Sequence, residues 1–340
     1  MLLIATAAIA GIVLGDGAQG PAEKPSLDGT SRVRLGAAKP TKASPPQAKA
    51  VSGAAIAPPA TAPATAPAAT PVLLGPVPNP ELVAPSATGP LPIIDRNGLE
   101  PWRAYARPFR DPANLPRIAL AIAGMGLNKT ETNEAIQKLP PEVTLSFSPY
   151  ASNLQSWVAE ARAYGHEVML QLPMQPIGYP ANDPGPNALL GSLSAQQNLA
   201  RLDWLLGRFT GYIGVTDYQG GAFTASAASL MPILKALKGR GLMYLASRAT
   251  PDSLAAPLAR EIGLPIAAND DLIDRDPSQS GVRTQLMALE NTARRSGHAI
   301  GLGLPYPVTV ETIAAWATTL PGAGLTLAPV SALADTKGAE

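Results

Sequence analysis

Length, composition and charge exclude several classes of function for this chain. It has 340 residues, 37 prolines, no cysteine and a formal net charge of +1. The near-zero charge, without a basic stripe interleaved with aromatic residues, excludes binding to nucleic acid. The lack of cysteine excludes a disulfide framework and a thiolate zinc site. Small molecules, glycans and proteins remain as ligands.

The N-terminal segment 1–15, MLLIATAAIAGIVLG, is almost entirely apolar. It is shorter than the roughly 20 residues that span a membrane. It matches the apolar core of a signal peptide, although no Lys or Arg precedes it. It is either a signal sequence or signal anchor, or a buried core segment of a cytosolic domain. A core segment would not be separated from its domain by a long structureless stretch, so we favour export or membrane anchoring.

Residues 16–90 are dominated by Ala and Pro, with runs such as APPATAPATAPAATP. The segment has few large side chains to bury, so it cannot compensate for the entropy that ordering would cost. We therefore predict a disordered Pro/Ala-rich linker with extended, polyproline-like character. It is expected to act as a spacer between the N-terminal segment and a folded domain at 91–336.

The folded domain alternates apolar strands with amphipathic helices, which predicts a parallel sheet with right-handed crossovers. The predicted strands are Arg117–Ala123, Val143–Ser148, Glu167–Leu172, Tyr212–Val215, Leu242–Ala246, Pro265–Ala268, Ala299–Leu302 and Leu325–Pro329. The best-supported helices are Ser194–Phe209, Ser226–Arg240, Gly281–Arg295 and Val308–Thr319. About seven or eight such units predict an α/β fold, an irregular (β/α) barrel. A doubly wound open sheet is the alternative.

The C-terminal ends of barrel strands form the working face, and here they carry no histidine. His166 and His298 each follow a glycine and precede a strand, which places them at the opposite end. Asp217, and the aspartates of NDDLIDRD at 269–276, belong to the working face. That acidic stretch either holds a hard cation or is a solvated loop, and the absence of an EF-hand pattern favours the loop. No Gly-x-Ser-x-Gly elbow and no complete phosphate loop is present.

Eight segments, in chain order, resemble the divergent polysaccharide deacetylase family of Gram-negative bacteria. They are YARPF, PRIALAIAGMG, GHEVMLQLPMQP, DPGPNALL, GYIGVTDYQGGAFT, YLASRATPDS, IGLGLPYPVT and LAPVSAL. The resemblance covers residues 90–336. It implies an irregular (β/α) barrel related to metal-dependent carbohydrate-ester hydrolases, in an envelope protein with an N-terminal anchor.

The positions at which this family carries acids or histidines are substituted here. The resemblance places two aspartates, a histidine, a further aspartate and a further histidine at the positions held by Ala123, Gly124, Tyr218, Ala246 and Leu304. Gln175 stands where the family has a glutamate, whereas Ser247, Arg248, Asp270 and Asp274 are retained. Because the substituted side chains are unsuited to divalent transition metals, we expect neither catalytic residues nor a metal or other cofactor.

The sequence therefore predicts a catalytically silent barrel that binds a cell-wall glycan or a peptidoglycan-associated protein in the periplasm, either secreted or anchored in the inner membrane by its N-terminus. The cleft-lining candidates are Gln175, Asp217, Tyr218, Ser247, Arg248, Asp270, Asp274 and Tyr306. Tyr150, Tyr179, Tyr218 and Tyr306 either offer rings to sugar faces or only pack at loop ends. Arg248 either binds an anionic group or, as we favour, forms an ion pair with a nearby aspartate. The alternative function is an active deacetylase or esterase with a carboxylate-based metal site at Asp217, Asp270, Asp271 or Asp274.

Overall fold

The computed structural model describes residues 74–111 and 113–336. The predicted signal segment 1–15 and most of the predicted linker lie outside the described residues. Among those that are described, no helix combines the length and hydropathy needed to cross a lipid bilayer.

A curled half-barrel of parallel strands forms the centre of the domain, so the predicted (β/α) barrel is confirmed. Two short strands, β1 (Val83–Ala84) and β2 (Leu91–Pro92), pair antiparallel outside it. The barrel strands are β3 (Arg117–Met125), β4 (Thr144–Phe147), β5 (Val168–Met174), β6 (Gly214–Gln219), β7 (Met243–Ala246), β8 (Ile266–Ala268), β9 (Asp271–Leu272), β10 (His298–Gly303) and β11 (Thr326–Ala328). Eight of them pair in the order β8-β7-β6-β5-β4-β3-β10-β9, and β11 pairs with the start of β3.

Helices cover the outside of this sheet. The short helix α1 (Pro101–Ala104) is the exception, since its Trp102 belongs to the core inside the sheet. The outer helices are α2 (Lys129–Lys138), α3 (Leu154–Ala163), α4 (Ala195–Leu206), α5 (Ala227–Gly239), α6 (Ala255–Ile262), α7 (Gln279–Ser296) and α8 (Pro307–Ala317). Local capping fixes where several of them begin. Asn128 accepts hydrogen bonds from the Thr130 and Glu131 amides at the start of α2, and Ser194 forms a reciprocal capping box with Gln197 at the start of α4.

Side-chain alternation divides the apolar residues between two cores. Along β3, Ile118, Leu120 and Ile122 pack against the helices. Ala119 and Ala121 belong instead to the cluster that fills the inside of the curled sheet. A strand buried on both faces reads as a continuous apolar run, which explains why β3 shows no polar alternation in the sequence.

The floor of the barrel, at the N-terminal ends of the strands, is sealed by a buried polar cluster. Glu167 is fully buried and accepts hydrogen bonds from the Arg107 amide (2.8 Å), the Thr144 hydroxyl (3.2 Å) and the Ser331 amide and hydroxyl. His166 is also buried, and its two ring nitrogens lie within hydrogen-bond distance of the main-chain carbonyl oxygens of Val143 and Ile136. His298 is exposed at the first residue of β10. Both histidines therefore lie at the floor, as predicted.

Packed structure begins earlier than the predicted linker boundary at residue 90, because residues 74–90 pack on this floor. Leu82 is fully buried in the inner cluster, and the Gly75 carbonyl accepts a hydrogen bond from Arg162 (3.1 Å). A methyl group at Gly211 would lie 2.5 Å from the Val77 side chain. The stretch contributes Leu82 and Val77 as apolar anchors, which its proline content concealed in the sequence.

Candidate functional site

A cavity of about 320 Å³ opens at the C-terminal ends of the strands, where the working face was predicted. Its polar or partly polar lining comes from Gln171, Asp217, Tyr218, Gln219, Ser247 and Asp274. Its apolar lining includes Ala123, Leu272, Leu302 and Leu304. A second cavity of about 370 Å³ shares Gln219 and Ala249 with the first and extends it toward Ile177. The two cavities are neighbours at the mouth, and we call them together the groove.

Asp217 borders this groove, but its carboxylate is engaged on the helix side of the sheet. It accepts hydrogen bonds from the Ser247 amide (2.9 Å) and the Ser247 hydroxyl. Burial and the charge of Asp217 together raise the pKa of Tyr244, which belongs to the helix-side core. Val215, two residues earlier, faces that same core, as strand alternation requires. Burial raises the pKa of Asp217, and the two hydrogen bonds from Ser247 oppose that rise.

Asp274 is likewise committed to the protein rather than to the groove. Its Oδ2 accepts hydrogen bonds from the Leu304 amide (2.6 Å) and from the Thr309 hydroxyl of α8 (3.4 Å). A methyl group at Gly303 would lie 3.2 Å from the same oxygen, so glycine leaves room for this contact. Burial raises the pKa of Asp274, and the Leu304 amide opposes the rise. The carboxylate therefore joins the end of β10 to the start of α8.

Two carboxamides in the groove were not predicted. Gln171, almost fully buried, accepts a hydrogen bond from the Gly124 amide through Oε1 (3.0 Å). Gln219 has a positive φ of 61°, and its buried Oε1 has no hydrogen-bond partner among the described residues. The sequence does mark Gln171 in one way, because it is a polar residue inside the apolar run VMLQLPM. Gln219 was assigned to a turn because β6 was predicted to end at Val215.

Four predicted candidates, Asp217, Tyr218, Ser247 and Asp274, line the cavity. Gln175 does not line it, since Gln175 accepts a hydrogen bond from the Gly191 amide (2.8 Å) and holds that loop.

The other predicted candidates lie on the rim or beyond it. Arg248, exposed and with a positive φ of 55°, donates to the Asn269 carbonyl (3.4 Å). No carboxylate in the described ranges lies within 4.0 Å of it, so the predicted ion pair is wrong. Asp270 accepts a hydrogen bond from the Ile300 amide (2.9 Å). Tyr306 is exposed at the start of α8, whereas Tyr150 packs beside Trp204.

The residues present do not fit the divalent metal that the family resemblance implies. Ala123 and Leu304 line the cavity at two of the substituted positions, and neither side chain has a donor atom. Within the part of the chain that the structure describes, no three His, Cys, Asp or Glu side chains are grouped so that they could hold a metal ion. The Asp270 and Asp271 carboxylates also accept hydrogen bonds from main-chain amides. The donor set of the groove therefore supports no metal-dependent step.

Comparison with known proteins places this geometry in a family. The model of the family described as divergent polysaccharide deacetylase matches residues 120–334. A crystal structure of uncharacterized protein ATU2773 from Agrobacterium tumefaciens C58 superposes with a TM-score of 0.70 at 38% identity, covering 72% of this chain and 99% of that one.

Two curated proteins are also similar. An uncharacterized protein of Haemophilus influenzae is 28% identical over 205 residues, which cover 60% of this chain and 72% of that protein. Uncharacterized protein YibQ of Escherichia coli is 22% identical over 222 residues, which cover 65% of this chain and 68% of that protein. The family match spans more than half of the chain and most of the barrel. The chain belongs to the divergent polysaccharide deacetylase family.

Proposed function

We propose that this protein is a catalytically silent member of its family that acts by binding a cell-wall glycan or a peptidoglycan-associated protein at the mouth of the barrel. One observation carries the proposal. The mouth of the barrel holds a cavity, and Ala123 and Leu304 line it at positions where the family resemblance places an aspartate and a histidine.

The loss of these groups removes the chemistry but not the binding surface. Metal-dependent deacetylation needs an ion that polarises the acyl carbonyl and lowers the pKa of the attacking water. It also needs a base and an acid, each contributing about 10²–10⁴-fold in rate. In this groove the two carboxylates are held by amides and hydroxyls of the protein. The exposed Tyr218 remains available for contacts with a ligand, whereas Gln171 lines the cavity with its Oε1 already bonded to the Gly124 amide.

Acetate release tests the proposed silence directly. The full chain is incubated with acetylated chitin and peptidoglycan fragments, with zinc, cobalt, manganese or no added metal. We expect no acetate above the buffer control. Release that depends on Asp217 or Asp274 would instead support the alternative, an active esterase with a rearranged carboxylate site.

Binding at the mouth is tested by titrating the same fragments and envelope extract against the full chain. Tyr218→Ala is expected to weaken binding, because this residue is 43% exposed and lines the cavity. Tyr164→Ala is the matched control, since this tyrosine is 48% exposed at the end of α3, on the floor side. Equal binding by both variants would contradict a role for the mouth.

We also propose that the barrel lies in the periplasm, with the N-terminal segment as signal or anchor. The apolar segment 1–15 and the proline-rich stretch that follows support this location. Protease accessibility in spheroplasts measures it. Digestion of the barrel without lysis is expected, and protection until lysis would argue against the proposal.

A further inference from the structure

The mouth of the barrel carries an unusual share of the exposed apolar surface. Nine large apolar or tyrosine side chains are exposed in the described ranges. Five of them follow the C-terminal ends of barrel strands or lie at them, and these are Leu127, Ile177, Tyr218, Leu272 and Tyr306. We call these five the mouth ring. Three of the five, Ile177, Tyr218 and Leu272, line the two cavities at the mouth. Apolar side chains grouped around a cleft, rather than scattered singly, mark interaction sites.

The groove inside the mouth ring is neutral where it is open. Leu272, Leu302 and Leu304 line the first cavity, and Ile177 lines the second. The two acids that border the groove turn their carboxylates to the amides of Ser247 and Leu304. A neutral, largely apolar groove is suited to a large apolar group from a partner, since burial of such a side chain drives association. It offers little to a phosphate or another charged ligand.

The rim of the groove is acidic on the side of Leu272. The segment 269–276, NDDLIDRD, has four aspartates and one arginine, a formal charge of −3, and the exposed Arg248, which donates to the Asn269 carbonyl, lowers the net negative charge of this rim to −2. Asp270 and Asp276 are exposed, and Arg275 is paired with Asp271 (3.1 Å). An apolar anchor beside such a rim favours a partner with basic residues flanking its own apolar side chain.

From these observations, and resting on the proposed function, we propose that the ligand of the mouth is a protein. Its docking segment inserts a large apolar side chain into the groove beside Leu272 and places Lys or Arg against the 269–276 rim. The two neighbouring cavities accommodate an extended segment, with Gln219 and Ala249 at their shared wall. A cell-wall glycan at the same place is the outcome that would replace this proposal.

A peptide-display selection on the immobilised full chain supplies the probe while the natural partner is unidentified. Selected peptides are expected to carry Leu, Phe or Trp flanked by Lys or Arg. Peptides that lack an apolar anchor, or that are acidic, would overturn the proposal.

Matched variants then locate the binding site of a selected peptide. Leu272→Ser and Ile177→Ser are each expected to weaken binding about tenfold or more, because each removes a side chain that the peptide would cover. Met287→Ser is the control, since Met287 is 61% exposed on α7, outside the mouth ring. Equal effects at Leu272 and Met287 would overturn the assignment. Unchanged thermal unfolding of each variant shows that the fold is intact.

A competition experiment separates failure of this inference from failure of the proposed function. Peptidoglycan fragments are titrated against the same chain and variants. If the fragments bind through Leu272 while no peptide does, the protein partner is wrong and the silent binding function stands. If neither binds and acetate is released, both are wrong. Peptide binding that fragments do not displace supports the proposal.

Discussion

Removing the Glu167 carboxylate is expected to loosen both ends of the described chain at once. This side chain joins Arg107 from the segment between α1 and β3, Thr144 from β4 and Ser331 from the C-terminal segment. In Glu167→Ala, the Arg107 and Ser331 amides lose their acceptor in an enclosed site. The Thr144 and Ser331 hydroxyls can rotate toward other acceptors, so the two amides dominate the cost.

The magnitude follows from the cost of buried donors without partners. Each contributes about 1–3 kcal/mol. Part of this cost is offset in the variant, because the buried carboxylate is itself unfavourable. The raised pKa of Glu167, caused by its burial, reflects that penalty. We therefore expect Glu167→Ala to lower the free energy of unfolding by about 2–4 kcal/mol.

Urea unfolding of the full chain, followed by tryptophan fluorescence, measures this difference. The control is Glu261→Ala, since Glu261 is exposed on α6, and a change within about 0.5 kcal/mol is expected there. A Glu167→Ala midpoint equal to that of the control would refute the assignment of Glu167 as the polar link across the floor.

Three further predictions concern pH, backbone and metal. The pKa values of Glu167 and Asp217 are raised in the folded protein from ordinary values of 4.5 and 3.8. The folded state therefore binds more protons than the unfolded state, and the free energy of unfolding should fall as pH rises above about 4. Asp217→Asn should make this pH dependence weaker. A free energy of unfolding that rises with pH over the same range would contradict the prediction. Gly220→Ala should destabilise by about 1–3 kcal/mol, because φ is +73° and the Met174 Cβ is 3.3 Å away, whereas Gly239→Ala, with nothing within 4 Å, should not. Zinc titration by calorimetry should show no tight stoichiometric site, and one tightly held equivalent would refute the reasoning from the donor atoms.

The barrel could be predicted from the sequence because its signals are local. Apolar runs and helix caps repeat along the chain, and the parallel order follows from their alternation. The predicted start of β3 at Arg117 agrees with the structure. The predicted end at Ala123 does not, since pairing with β4 extends the strand to Met125. Strand ends depend on the neighbouring strand, which the sequence does not show.

The site was harder to predict because it depends on which way each side chain faces. β6 was expected to end at Val215, yet pairing with β5 carries it through Asp217 to Gln219. That continuation keeps the alternation in force and turns the Asp217 carboxylate toward the helices. Asp217 therefore lines the cavity, as predicted, while its carboxylate is held by Ser247. Gln171 was not predicted as a site residue, because it lies inside the apolar run of β5. Its side chain nevertheless lines the cavity.

The packing of residues 74–90 on the barrel floor places the beginning of the described chain at the closed end of the barrel. Gly75 is held by Arg162, and Val77 lies beside Gly211, both before the strands begin. The first described residues, 74–77, therefore lie at the end opposite the groove. A label or an immobilisation site introduced at residues 74–77 would be held at the closed end of the barrel, away from the groove.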